Sequence, residues 1–342
     1  IKELVKQGRW EVEGSMWLEP DCNIPSGEAF VRQFLYGKRF FREEFGKDNK
    51  ILWLPDVFGY SAALPQIMKK CGVPYFMTTK ISWNDTNKLP YDSFYWEGID
   101  GTRVLTHFIT TRDYESPTRN VETSKEYHTA FSTNYNGYTH PAQVKGSWQR
   151  YQQKDLNEEV LLSYGYGDGG GGTTDWMIES VRRMNRGIPG VPRTRFSTAG
   201  EFFEVLENKL KDQRHCPVWS GELYLENHRA TYTTMARNKR SNRKSEFLMG
   251  NAEFLTVLEH LAGEEKARTA WNEDKGAFDE AWRTILKNQF HDILPGSAIE
   301  EVYEVSQKEY EAIENYFAPL GEHLAQKVAD KMEGSAGEVF VV

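Results

Sequence analysis

Residues 51–61 read Ile51-Leu52-Trp53-Leu54-Pro55-Asp56-Val57-Phe58-Gly59-Tyr60-Ser61, and this stretch decides the fold. Four apolar residues stopped by a proline make a buried strand, Ile51–Leu54. Its C-terminal end delivers a carboxylate, then aromatics and glycine. Parallel α/β sheets and barrels place their reacting groups at that end of a strand. Asp56 can there be a nucleophile or a metal ligand. It can equally be a turn residue or a cap for a helix expected over residues 62–71.

Working outward, short apolar runs alternate with amphipathic stretches through residue 215, which is an α/β pattern. Further strands are expected at 75–78, 93–96, 104–108 and 160–163, and helices at 27–45, 174–185 and 200–211. From about residue 230 the apolar spacing is three and four throughout, giving helices at 238–262, 278–291 and 298–331. Pro295-Gly296 stops one helix, and Ser297 with Glu300 has the spacing of a capping box for the next. The chain enters mid-helix at Ile1 and stops in a strand-like run at Val342, so both ends are expected to be cut.

Composition narrows the function classes. Fifty acidic against 42 basic residues leave a net charge of −8, the wrong sign for a nucleic-acid partner. No apolar run approaches the roughly 18 residues a membrane span needs. Cys22, Cys71 and Cys216 are odd in number and widely spaced, with no disulfide framework, which points to a reducing compartment and a cytoplasmic location. Aromatics reach 13 %, which suits stacking on sugar faces and suits a large aromatic core equally well.

Three more clusters could carry chemistry. Residues Gly165 to Gly170 satisfy G-x-G-x-x-G, yet the segment about twenty residues on is Arg186-Gly-Ile-Pro-Gly-Val-Pro192, without the acid a dinucleotide site needs. A glycine run around one acid instead lets bare backbone approach a bulky substrate, with Asp168 as an acid/base. His291-Asp292 ends an amphipathic helix, where a histidine is a dipole-stabilising cap or a ligand. Trp219 to Tyr232 gathers Glu222, Glu226, His228, Arg229 and Tyr232, either a solvated loop or the wall of a substrate cleft.

In order along the chain, these segments resemble glycoside hydrolase family 38, the retaining α-mannosidases, and its cytosolic/vacuolar subgroup in particular. The shared segments include Gly14-Ser-Met-Trp17-Leu-Glu19-Pro-Asp21, Leu54-Pro-Asp56-Val-Phe-Gly-Tyr60, Thr79-Lys80-Ile-Ser-Trp83 and Tyr166-Gly-Asp168-Gly-Gly-Gly-Gly172. Gly221-Glu-Leu-Tyr-Leu-Glu226 and Asn288-Gln-Phe-His291-Asp292 complete the series. The resemblance implies a barrel-like α/β catalytic domain over residues 1–215, truncated at its N-terminus. A three-helix middle domain over 216–332 and the start of a C-terminal β domain at 333–342 would follow.

It also implies roles. Asp56 matches the nucleophile and a zinc ligand, and His291 a second ligand; Asp292, Lys80, Phe58 and Trp17 match residues around the sugar. Asp168 is expected as the general acid/base, with Glu226, His228 and Tyr232 at the cleft wall. The cofactor would be Zn²⁺, or another divalent cation such as Co²⁺, and the substrate an oligosaccharide ending in α-mannose. Self-association is left open. The family's early His-x-Asp, which supplies two further ligands, does not precede Gly8, so this stretch alone is expected to be inactive. Two other readings compete: a zinc-dependent amidohydrolase or polysaccharide deacetylase, and a non-catalytic carbohydrate-binding fragment.

Overall fold

A computed structural model describes residues 1–113, 133–262 and 266–330; the strand-like tail expected at 333–342 lies outside them. The chain forms two compact units, one of Ile1–Asn23 with Phe34–Arg229 and one of Ile24–Gln33 with Ala230–Val342.

The first unit is α/β. After α1 (Lys2–Lys6), α2 (Gly27–Phe45) starts where Ser26 Oγ accepts the Ala29 amide at 3.1 Å. There follow β1 (Ile51–Trp53), α3 (Leu64–Lys70), β2 (Tyr75–Thr78), β3 (Ser93–Glu97) and β4 (Arg103–Phe108). Then come α4 (Pro141–Arg150), α5 (Asp175–Asn185), α6 (Ala199–Leu210) and β5 (Val218–Ser220). The sheet order is β1-β2-β4-β3-β5. β1, β2 and β4 are parallel, with Leu52 beside Phe76 and Phe76 beside Thr106, whereas β3 is antiparallel to β4 and parallel to β5.

Apolar residues cover both faces of the parallel strands, as crossover helices require. Ile51, Tyr75, Met77 and Leu105 pack on Phe202, Phe203, Leu206 and Leu210 of α6. Phe76 faces Tyr60 and Trp96, with ring centroids 4.9 and 5.1 Å away. All three rings are fully buried, and each stabilises the fold by roughly 1.5–3 kcal/mol. Gly37 marks the closest approach in the unit. A Cβ there would lie 2.2 Å from the Met16 carbonyl carbon.

Several expectations shift. Residues 160–163 lie outside the sheet, and the next residue, Tyr164, makes a parallel bridge to Gly137. An apolar run becomes a strand only where a neighbour offers a ladder. α4 and β5 were not read from the sequence. The first opens on His140-Pro141 and carries Gly146, and the second has only three residues.

The second unit is helical: α7 (Ala236–Ala262), α8 (Lys266–Asn288) and α9 (Glu300–Asp330). Its buried residues include Met249, Trp282, Ile285, Tyr310 and Phe317. Arg32 lies 3.9 Å above the Trp282 ring and grips Glu253 with two nitrogens, at 2.9 and 2.5 Å. The expected capping box at Ser297 is replaced: α9 starts at Glu300, and Ser297 Oγ donates to Asp292 Oδ1 at 2.8 Å. The hydroxyl proton is thereby given to a charged acceptor.

Candidate active site

The site in the first unit is built around the turn that follows β1. Pro55 O accepts from the Thr79 amide at 3.2 Å and the Thr79 hydroxyl at 2.8 Å. Leu54 O accepts from the buried Tyr60 hydroxyl at 2.7 Å. Downstream, Gly59 takes φ +105°, and a Cβ there would meet Leu223 O and Asn23 Nδ2 at 3.2 Å. Tyr60 bridges to Cys22 on one side and Leu223 on the other. The backbone that carries Asp56 is thus held before and after the carboxylate.

Lys80, in a 3-10 turn just past β2, donates from Nζ to Asp56 Oδ1 at 2.6 Å. Both side chains are largely buried, 12 % exposed for the lysine and 24 % for the aspartate. The ammonium lies 5.2 Å from the Phe58 ring centre and 5.3 Å from that of Trp83, within cation–π range. Phe58 in turn contacts the His228 ring at 4.5 Å, and His228 takes φ +64°. A non-glycine residue held in that region carries strain.

Asp168 sits at the tip of a glycine loop closed on itself. The Tyr166 amide donates to Gly172 O at 3.2 Å, and the Gly171 amide to Tyr166 O at 2.7 Å. Gly165 and Gly170 take positive φ, at +115° and +70°. The carboxylate is exposed, and its Oδ1 accepts from the Tyr135 hydroxyl at 3.1 Å. Burial, and the charges of Asp56, Asp168 and Glu19, hold that phenol protonated far above its ordinary range. Tyr135 is therefore within electrostatic reach of three carboxylates, including both that the sequence singled out. Neither Tyr135 nor Glu19 was read from the sequence as part of the site.

The other expected residues are placed as follows. Trp17 packs edge-on against Tyr36 and Phe40 of α2, at 6.3 and 5.9 Å. Glu226 gives both carboxylate oxygens to one loop. It accepts from the amides of Asp85 (2.7 Å), Thr86 (2.9 Å) and Asn87, and from Asn87 Nδ2. Those amides, Thr86 first, hold its carboxyl below the ordinary carboxylate range. In the second unit, His291 is buried in the turn after α8 and lies 3.8 Å from Asp292 Oδ2. Tyr232 is 39 % exposed. Among the described residues, no three His, Cys, Asp or Glu side chains are grouped to hold one metal ion. No described helix is long and apolar enough to cross a membrane.

Comparison with known proteins adds the following. Residues 1–222 match the glycosyl hydrolases family 38 N-terminal domain, and residues 226–328 the alpha mannosidase middle domain. Alpha-mannosidase 2C1 of Mus musculus is 38 % identical over 320 residues, covering 94 % of this chain and 28 % of that protein. Alpha-mannosidase G of Dictyostelium discoideum is 41 % identical over 307 residues, covering 89 % of this chain and 25 % of its own length. An alpha-mannosidase from Enterococcus faecalis V583 superposes with a TM-score of 0.71 at 18 % identity, over 96 % of this chain and 35 % of its own, a likeness of fold. The chain spans about a quarter of the length of the curated relatives it matches.

Proposed function

The chain belongs to glycosyl hydrolase family 38, and on that footing we propose that it forms part of a cytoplasmic retaining α-mannosidase acting on oligosaccharides that end in α-mannose. Asp56 is the nucleophile and Asp168 the general acid/base. The observation that carries this reading is that Lys80 holds Asp56 at 2.6 Å, while Tyr135, which bonds Asp168 at 3.1 Å, stands two residues from Thr133, whose amide is bound to Ser82 in the same Lys80 turn. Two carboxyl groups facing one glycosidic bond are what a double displacement requires.

In the first step an Asp56 oxygen attacks the anomeric carbon as the bond to the leaving oxygen breaks, and Asp168 gives that oxygen its proton. In the second, water attacks the glycosyl ester, Asp168 takes the water's proton, and Asp56 is released. Lys80 balances the Asp56 charge when the enzyme is free and aims the carboxylate. Membership in a glycosyl hydrolase family counts against an amidohydrolase.

A divalent cation, Zn²⁺ or Co²⁺, is proposed as a partner of Asp56 and of His291, each residue taken singly. The described residues do not by themselves fit such an ion. Zinc takes four ligands, no three candidate side chains are grouped, and Asp56 Oδ1 already accepts from an ammonium. No step above is routed through the metal.

The test uses the full-length enzyme. Nuclear magnetic resonance of the first product should show α-mannose, and a 5-fluoro mannosyl donor should label Asp56 on peptide mapping. First release of β-mannose, or a label elsewhere, would overturn the assignment.

A further inference from the structure

We propose that Tyr135 is a positioning residue for this hydrolysis, its phenol fixing the direction of the Asp168 carboxyl group relative to Asp56. The inference rests on the reading of Asp168 given above. Its support is the way residues 133–137 are fastened at both ends.

At one end, Thr133 is bound to the turn that carries Lys80. Its amide donates to Ser82 Oγ at 2.9 Å, and its carbonyl accepts from Trp83 Nε1 at 3.0 Å. Lys80 in that turn holds Asp56. At the other end, Gly137 is bound to the root of the glycine loop. Its amide donates to Ser163 O at 3.1 Å, and its carbonyl accepts from the Gly165 amide at 2.9 Å. A Cβ on Gly137 would lie 2.8 Å from Ser163 O, so only glycine allows that approach. Tyr135 hangs between these anchors, and a Cβ added at Gly167 would lie 3.8 Å from its ring.

The phenol then has one use for its proton. Donation to Asp168 Oδ1 leaves the other oxygen, Oδ2, to carry the transferable proton. A glycine loop cannot aim a side chain by its own packing, because glycine supplies none. Tyr135 supplies what the loop lacks.

The experiment compares wild-type, Tyr135→Phe and Asp168→Ala in the full-length enzyme. Substrates are an aryl α-mannoside with a good leaving group and one with a poor leaving group. Tyr135→Phe keeps the ring and removes only the donor. Its kcat/KM on the poor leaving group should fall roughly tenfold while the good one changes less than about threefold. A Tyr135→Phe enzyme with wild-type leaving-group dependence would overturn the proposal. If Asp168→Ala itself handles the poor leaving group like wild-type, the acid/base reading falls, and the proposal falls with it.

Discussion

The Lys80 ammonium lies 2.6 Å from the Asp56 carboxylate while facing the rings of both Phe58 and Trp83. Removing it leaves a largely buried carboxylate without its counter-ion. Lys80→Met should therefore lower kcat in the full-length enzyme by tenfold or more and cost about 1–2 kcal/mol of stability. Lys80→Arg should retain the charge but place it differently, recovering stability more than rate. Steady-state kinetics and thermal melts of the two variants check both halves.

Glu13 offers a pH-dependent test. Its carboxylate accepts from the amides of Lys50 and Ile51, at 3.3 and 3.2 Å, yet burial raises its pKa to about 7 from an ordinary 4.5. A carboxyl group whose proton is held more tightly when folded contributes stability that is fully present below pH 4.5. That contribution is lost as the pH rises through 7. Glu13→Gln should thus be close to neutral at pH 4 and stabilise at pH 8, by on the order of 2 kcal/mol. Denaturant unfolding at the two pH values reads the difference.

Gly37 leaves no room for any side chain. With the Met16 carbonyl carbon only 2.2 Å from where its Cβ would be, Gly37→Ala must push backbone apart. We expect a loss of about 3 kcal/mol or more, seen as a sharply lower melting temperature. Gly250→Ala, with open space around it on α7, should be neutral or slightly stabilising.

Glu226 should act as a clamp on the loop at residues 85–87. Its carboxyl is held below the ordinary range, so the stabilisation is present above pH 4.5 and is lost as the pH falls through the lowered value. Glu226→Ala should admit proteolysis between residues 84 and 88 at pH 7, where wild-type resists. Equal cleavage of the two would remove the clamp.

How much of this was legible in the sequence depends on the range of the forces involved. Asp56 and Asp168 stand out because a local signal, an apolar run ending in glycine and acid, marks them. The start of α2 is equally local, with Pro25-Ser26 ahead of it and the Ser26 cap in place. Tyr135 carries no such mark. It is placed by bonds that join Thr133 to Ser82, 51 residues away, and no window of sequence contains both. Glu226 was read beside the cleft by composition, whereas its oxygens are committed to amides about 140 residues distant. The 160–163 run shows the converse, a strong local pattern with no ladder beside it.

Glu11 and Glu13 also set a timetable. Glu11 accepts the amides of Ala199 and Gly200 at the head of α6, a separation of 188 and 189 residues. Glu13 meets its own partners within 38. On a ribosome adding roughly 5–20 residues per second, the Glu11 acceptor waits about 10–40 seconds after it emerges before α6 exists to receive it. Through that interval β1, which ends the sheet among the described strands and meets Gly14 by a single bridge, lacks the packing of Phe202 and Phe203 and is open to mispairing with other nascent chains. A slowly translated stretch just before residue 199 would lengthen that exposure, and one just after residue 210 would give the helix time to dock.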